Sequence, residues 1–185
     1  MSDHLDAMRN FVQAMNQGSP HAIALKMETV ALDGEGATLR VPYDEKLIGD
    51  PETGVIAGGV VTTLLDHACG QAVHTGLTEF KTIATLDLRI DYMRPAEPGK
   101  DIYARAHCYK VTRSVAFVRA VAYDDNPDDP VAAAQAAFML DSSAGRERIT
   151  FGFLPSLGEG EEGRKAWRFF GSPQDQVRSL VDYCV

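Results

Sequence analysis

From residue 60 onward the chain carries one long apolar stripe at helical spacing: Val60, Val61, Leu64, Leu65, Ala68, Ala72 and Val73. Residues three and four apart share a helix face, so the stripe predicts a helix that opens on Gly58-Gly59, runs to Gly76 and buries a wide side. Immediately afterwards the period drops to two. Residues 82–93 alternate polar and apolar, and residues 101–112, 115–123 and 131–140 read as three further strands. The connections are short: Arg94-Pro-Ala-Glu-Pro-Gly99, Arg113-Ser114 and the acidic loop 124–130. Connections this short join antiparallel strands, because a parallel pair needs a crossover of a dozen residues or more. The predicted class is therefore α+β, with an antiparallel sheet of about six strands and one buried helix laid along a face.

Upstream, Leu5, Met8, Phe11, Val12 and Met15 recur at spacings of three and four and predict an amphipathic N-terminal helix. Residues 23–32 and 37–41 read as two strands joined by the turn Asp33-Gly34-Glu35-Gly36, and residues 42–54 as a loop. Residues 1–140 are expected to form one domain. Residues 141–185 differ in character, with a polar start, the acidic glycine-rich run 158–163 and a short helical pattern near 173–183. They are read as a partly ordered C-terminal extension packing on a partner subunit.

Composition narrows the function. A net charge of −8 over 185 residues argues against nucleic acid as partner, since phosphate backbones call for a basic surface. Local basic residues still allow an anionic small ligand. No apolar run approaches the roughly 18 residues of a membrane span. The N-terminus lacks the basic and apolar regions of a secretory signal. Cys69, Cys108 and Cys184 are widely spaced and odd in number, which fits a reducing compartment, and a cytoplasmic location is expected. No Cys/His pair has zinc-ligand spacing, and no metal or redox cofactor is implied.

Chemistry concentrates at the helix. A helix start exposes backbone N–H groups with a partial positive charge, and glycine lets a ligand approach them closely. Gly58-Gly59 is thus a candidate carbonyl-polarising site, although a Gly pair also serves as a plain tight turn. Asp66 lies seven or eight residues on, roughly 11 Å along the axis. One carbonyl does not reach both groups on a single helix. Two antiparallel copies would place the start of one beside the acid of the other. A partly desolvated carboxylate there suits general-base or nucleophilic work. His67 points about 100° away from Asp66 and forms no dyad with it on one helix, and His74 is read as structural.

The pattern Gly58-Gly-Val-Val-x-x-Leu-Leu-Asp66, followed by a strand ending Asp91-Tyr-Met-Arg-Pro-Ala96, resembles the hotdog-fold acyl-CoA thioesterases of the phenylacetate-degradation type. The resemblance covers roughly residues 22–140. It implies a sheet wrapped around the central helix, edge-to-edge dimers that often pair into tetramers, and active sites at the dimer interface. It assigns Asp66 as base or nucleophile, the Gly58 N–H as the group polarising the thioester carbonyl, and Thr85 as the hydroxyl positioning water. Gly59, Val61, Leu65 and, deeper, Val73 would line the substrate site. Arg94, Lys110, Arg113 and Ser114 would meet the phosphates of CoA, while Asp87 and Arg89 face solvent or an interface. Two departures stand out. The family usually has His before the glycines, where this chain has Ala57, and its upstream Asn or Gln finds only Asp50 or Pro51 here. A non-catalytic acyl-CoA binder is therefore the rival reading. A hotdog hydratase is a weaker one, because no His-Phe-Pro-Gly-like stretch occurs.

Overall fold

The computed structural model of the protein describes residues 12, 16, 18–34, 36–79 and 81–140. Most of the predicted N-terminal helix and the whole extension over 141–185 lie outside them. Eight strands are formed: β1 (Glu28–Asp33), β2 (Gly36–Val41), β3 (Ile48–Asp50), β4 (Val55–Ile56), β5 (Ile83–Tyr92), β6 (Ile102–Val111), β7 (Val115–Tyr123) and β8 (Ala132–Leu140). Six build one sheet in the order β1-β2-β6-β7-β8-β5, and β3 pairs with β4 alone. Every pairing is antiparallel. The central helix, Gly58–Thr75, lies against this sheet.

Packing explains the match between pattern and fold. Leu64, Leu65, Ala68, Cys69, Ala72 and Val73 are wholly buried on the helix side. Facing them are alternate residues of the middle strands, and most are alanines: Ala104 and Ala106 on β6, Ala116, Ala120 and Ala122 on β7, and Ala132, Ala134 and Ala136 on β8. Small side chains let the helix approach the strands closely, and the larger helix residues pack against them in one buried cluster. A closed ring of three hydrogen bonds ties in the N-terminal side. Asn16 Nδ2 donates to Thr29 Oγ1 (2.8 Å), Thr29 Oγ1 to Gln71 Oε1 (3.0 Å), and Gln71 Nε2 to Asn16 Oδ1 (3.1 Å).

Two local readings need correction. Residues 23 and 24 belong not to a strand but to a short helix, Pro20–Ala24. Ser19 caps it by accepting from the Ala22 N–H, and Pro20 sits at the first helical position, where its fixed φ fits and its missing N–H costs nothing. The loop predicted over 42–54 contains a 3-10 turn, Glu45–Leu47, and β3, whose partner β4 delays the helix to Gly58.

β5 is an edge strand with a bulge, its register on β8 shifting between Thr85 and Asp87. Strand side chains alternate faces, so an extra residue reverses the parity. Thr85 reaches Asp66 on the helix, and Tyr92, seven positions on, reaches Gly58 on the same helix. An unbroken alternation would put these two on opposite faces. The bulge, with Leu86 56% exposed at the edge, is what turns both inward.

Candidate active site at the central helix

The helix begins at an uncapped end. Ala57 occupies the N-cap and offers no side-chain hydrogen bond. Its backbone is held instead: the Ala57 N–H donates to Leu47 O at 2.9 Å, and Gly49 packs so closely that a Cβ there would lie 2.8 Å from the Ala57 Cα. The N–H groups of Gly58 and Gly59 belong to the first turn and have no acceptor within the helix.

Neither glycine is required by the protomer itself. Both have ordinary negative φ. A Cβ on Gly58 would meet the Tyr92 ring no closer than 3.5 Å, an ordinary contact, and one on Gly59 would meet nothing within 4 Å. Two residues that cost a helix about 1 kcal/mol each relative to alanine thus stand where alanine would fit.

Two turns along, Thr85 Oγ1 donates to Asp66 Oδ1 at 2.9 Å. Asp66 is half-buried where the helix meets the edge strand β5, on the side it shares with Gly58, Thr62 and Gly70, while Gly59, Thr63 and His67 lie on the adjoining helix side. With Oδ1 occupied by Thr85, Oδ2 keeps its lone pairs for another donor. His67 turns away from this pair: its Nδ1 lies 3.2 Å from Thr63 O, and its ring stands edge-on to His21 at 6.5 Å. The neighbouring thiol is inert, since burial, aided by the charge of Asp66, pushes Cys69 up to about 12.

The other expected site residues lie away from the Thr85–Asp66 pair. Val61, Leu65 and Val73 are sealed in the core between helix and sheet. Arg94 is fully engaged within the protein. It donates in fork geometry to Asp124 (2.8 and 2.7 Å), pairs through Nε with Asp129 (3.1 Å) and also donates to the Asp129 and Pro95 carbonyls. It clips the turn after β5 to the acidic loop and holds the Asp124 carboxyl well below the usual range. Lys110, Arg113 and Ser114 are exposed at the β6–β7 hairpin. That hairpin sits toward the C-terminal end of the helix, where Gly76 abuts Val111 and Cys108. Asp87 and Arg89 are exposed, and Arg89 pairs with Asp91.

Sequence reasoning passed over Tyr92 and Thr62. The Tyr92 hydroxyl donates to the Gly58 carbonyl at 2.7 Å and lies 2.8 Å from Thr62 Oγ1, which is itself 3.2 Å from that carbonyl. The available signal was parity: Tyr92 shares the inward face with Leu88 and Ile90.

This arrangement has relatives. The sequence model of the thioesterase superfamily matches residues 53–131. A solved structure from Pseudomonas aeruginosa is 46% identical, with 74% of this chain and 98% of that one covered and a TM-score of 0.64. The phenylacetic acid degradation protein PaaI of Thermus thermophilus, solved as its N33D mutant, is 25% identical, with 65% and 98% covered and a TM-score of 0.57. This chain belongs to the thioesterase superfamily. Its fold is that of the hotdog thioesterases, an antiparallel sheet of six strands with a helix packed against it. Among characterised relatives, the medium/long-chain acyl-CoA thioesterase YigI of Escherichia coli is 28% identical over 65% of this chain and 85% of its own. A Halobacterium salinarum protein with a provisional esterase name is 40% identical over 53% of this chain, and the match spans 66% of that protein.

Proposed function

We propose that the protein hydrolyses an acyl-CoA thioester to the free acid and CoA, at a site shared between two copies of the chain. The observation that carries this reading is the Thr85–Asp66 hydrogen bond where the central helix meets the edge strand β5. In this scheme Thr85 fixes the Asp66 carboxylate, and Oδ2 takes a proton from a water as its oxygen adds to the thioester carbonyl carbon. The Gly58 N–H of the other copy stabilises the developing oxyanion. Collapse breaks the C–S bond, and the thiolate leaves with the proton returned from Asp66. Sharing is supported by distance, since eight residues of helix separate the two groups by about 12 Å. It is also supported by the unpaired outer edge of β5, where Leu86, Tyr92 and Met93 are exposed. Lys110, Arg113 and Ser114 remain the candidates for CoA phosphates. Arg94 does not, because both terminal nitrogens are bonded within the protein and its Nε is buried.

Thiol release over acyl-CoAs from acetyl to long-chain and aromatic tests the reading. Asp66→Asn should abolish turnover while the fold is retained. Sharing is tested by mixing two inactive variants, Asp66→Asn and Gly59→Val, after unfolding and refolding together. Random pairing leaves one intact site in each mixed dimer, so about a quarter of wild-type activity should return; no recovery would place both groups on one chain. The absence of a side-chain cap at Ala57 favours a second reading, a non-catalytic acyl-CoA binder. Tight CoA-ester binding without thiol release by the wild type would decide for it.

A further inference from the structure

We propose that Tyr92 is a positioning residue for the reaction, acting through the peptide unit that links Gly58 and Gly59; this rests on the thioesterase reading above. The carbonyl of Gly58 and the N–H of Gly59 are the two ends of one planar unit. Fixing the first fixes the second. The carbonyl end is held from outside the helix by the Tyr92 hydroxyl at 2.7 Å, with Thr62 Oγ1 bonded to that hydroxyl at 2.8 Å and lying 3.2 Å from the same oxygen. The same carbonyl is also in the helix ladder, accepting from the Thr62 N–H, and with no side chain capping this end the Tyr92 anchor is an added restraint from outside the helix on how that plane is tilted. A donor to the carbonyl also polarises the unit, because linked hydrogen bonds strengthen one another, and so makes the Gly59 N–H a better donor. That N–H lies in the first turn, where no carbonyl of the helix reaches it, and a Cβ added to the same residue would meet nothing within 4 Å. Gly59 thus supplies a second oxyanion donor beside Gly58, and Tyr92 and Thr62 aim it. The arrangement gives a physical reason for a half-exposed tyrosine at the end of an edge strand whose ring rests on a glycine.

The test uses the full chain and two readouts. Tyr92→Phe keeps the ring and removes the anchor. It should lower kcat roughly tenfold, a part of the about 10²–10³ lost when a whole donor is removed, with KM changed less than about twofold. Thr62→Val should act in the same direction, and Thr62→Ser should restore the wild-type value. Independently of activity, the Gly59 amide proton should move upfield in the nuclear magnetic resonance spectrum of Tyr92→Phe, further than amides of the helix middle. A Gly59 resonance that stays in place, or a kcat loss matched by a global loss of fold, overturns the proposal. A wild type that hydrolyses no thioester while the Gly59 shift is observed overturns the thioesterase reading and the catalytic role of Tyr92 with it, but leaves the anchor.

Discussion

At the residue scale, the glycine pair and Asp66 make opposite demands on stability and function. Gly59→Ala should stabilise the protomer by up to about 1 kcal/mol, because alanine is the better helix former and the space around position 59 is open. The same change should lower kcat/KM, because the added methyl stands where substrate or the partner approaches. Thermal melting and thiol release on one preparation check both signs. Thr85→Val should lower kcat about tenfold or more, by letting the Asp66 carboxylate turn, with a smaller effect on KM. If Thr85→Val were neutral, the 2.9 Å bond would be mere packing.

At the element scale, side-chain bonds between distant segments decide how the pieces lock. Gln71 is 2% exposed and closes the ring with Asn16 and Thr29. Gln71→Leu should cost about 1–3 kcal/mol in urea melts, since it breaks two of the three bonds and leaves the Thr29 hydroxyl proton and the Asn16 Oδ1 without their partner in a half-buried setting. The Arg94–Asp124 pair is a stronger lock. The Asp124 side chain is 2% exposed and also accepts from the Glu97 N–H. Arg94→Met would strand a buried carboxylate and should destabilise by about 2–3 kcal/mol, somewhat below the 3–5 of a fully buried pair because Arg94 is partly exposed. The double variant with Asp124→Asn should recover part of the loss.

At the scale of the whole molecule, one core group gives the stability a pH dependence near neutrality. His74 is 3% exposed, and burial pushes its imidazole down from 6.5 to about 4. Below pH 6.5 the unfolded chain binds a proton that the folded chain refuses. Stability is therefore fully present above that pH and falls as pH drops toward 4, by up to about 3 kcal/mol. Urea melts at pH 7.5, 6 and 5 should show the decline, and His74→Leu should flatten it. A wild-type curve that is level over this range would contradict the cause assigned to His74.

Much of the fold was legible because periodicity is local. The helix opening on Gly58, the span of β7 and the order of the strands followed from spacing alone, and so did the separation of Gly58 from Asp66 along one axis. Most ends moved by a residue or so, but the first strand began five residues later than its pattern, behind the capped helix Pro20–Ala24, and the short ladder β3–β4 formed within and beside a predicted loop. Only the tertiary structure decided the rest, since which side chains meet across 20 to 40 residues depends on register. A bulge at Leu86 turned both Thr85 and Tyr92 toward the helix, and no alternation pattern specifies a bulge. The same register brought Arg94 to Asp124 and withdrew it from any phosphate. Val61 and Leu65 went to the core because the sheet covers their side of the helix, leaving Asp66 half-buried beside the edge strand β5 and the glycines exposed at the helix start. Sequence determined which groups could do chemistry; packing determined which of them were left facing a substrate.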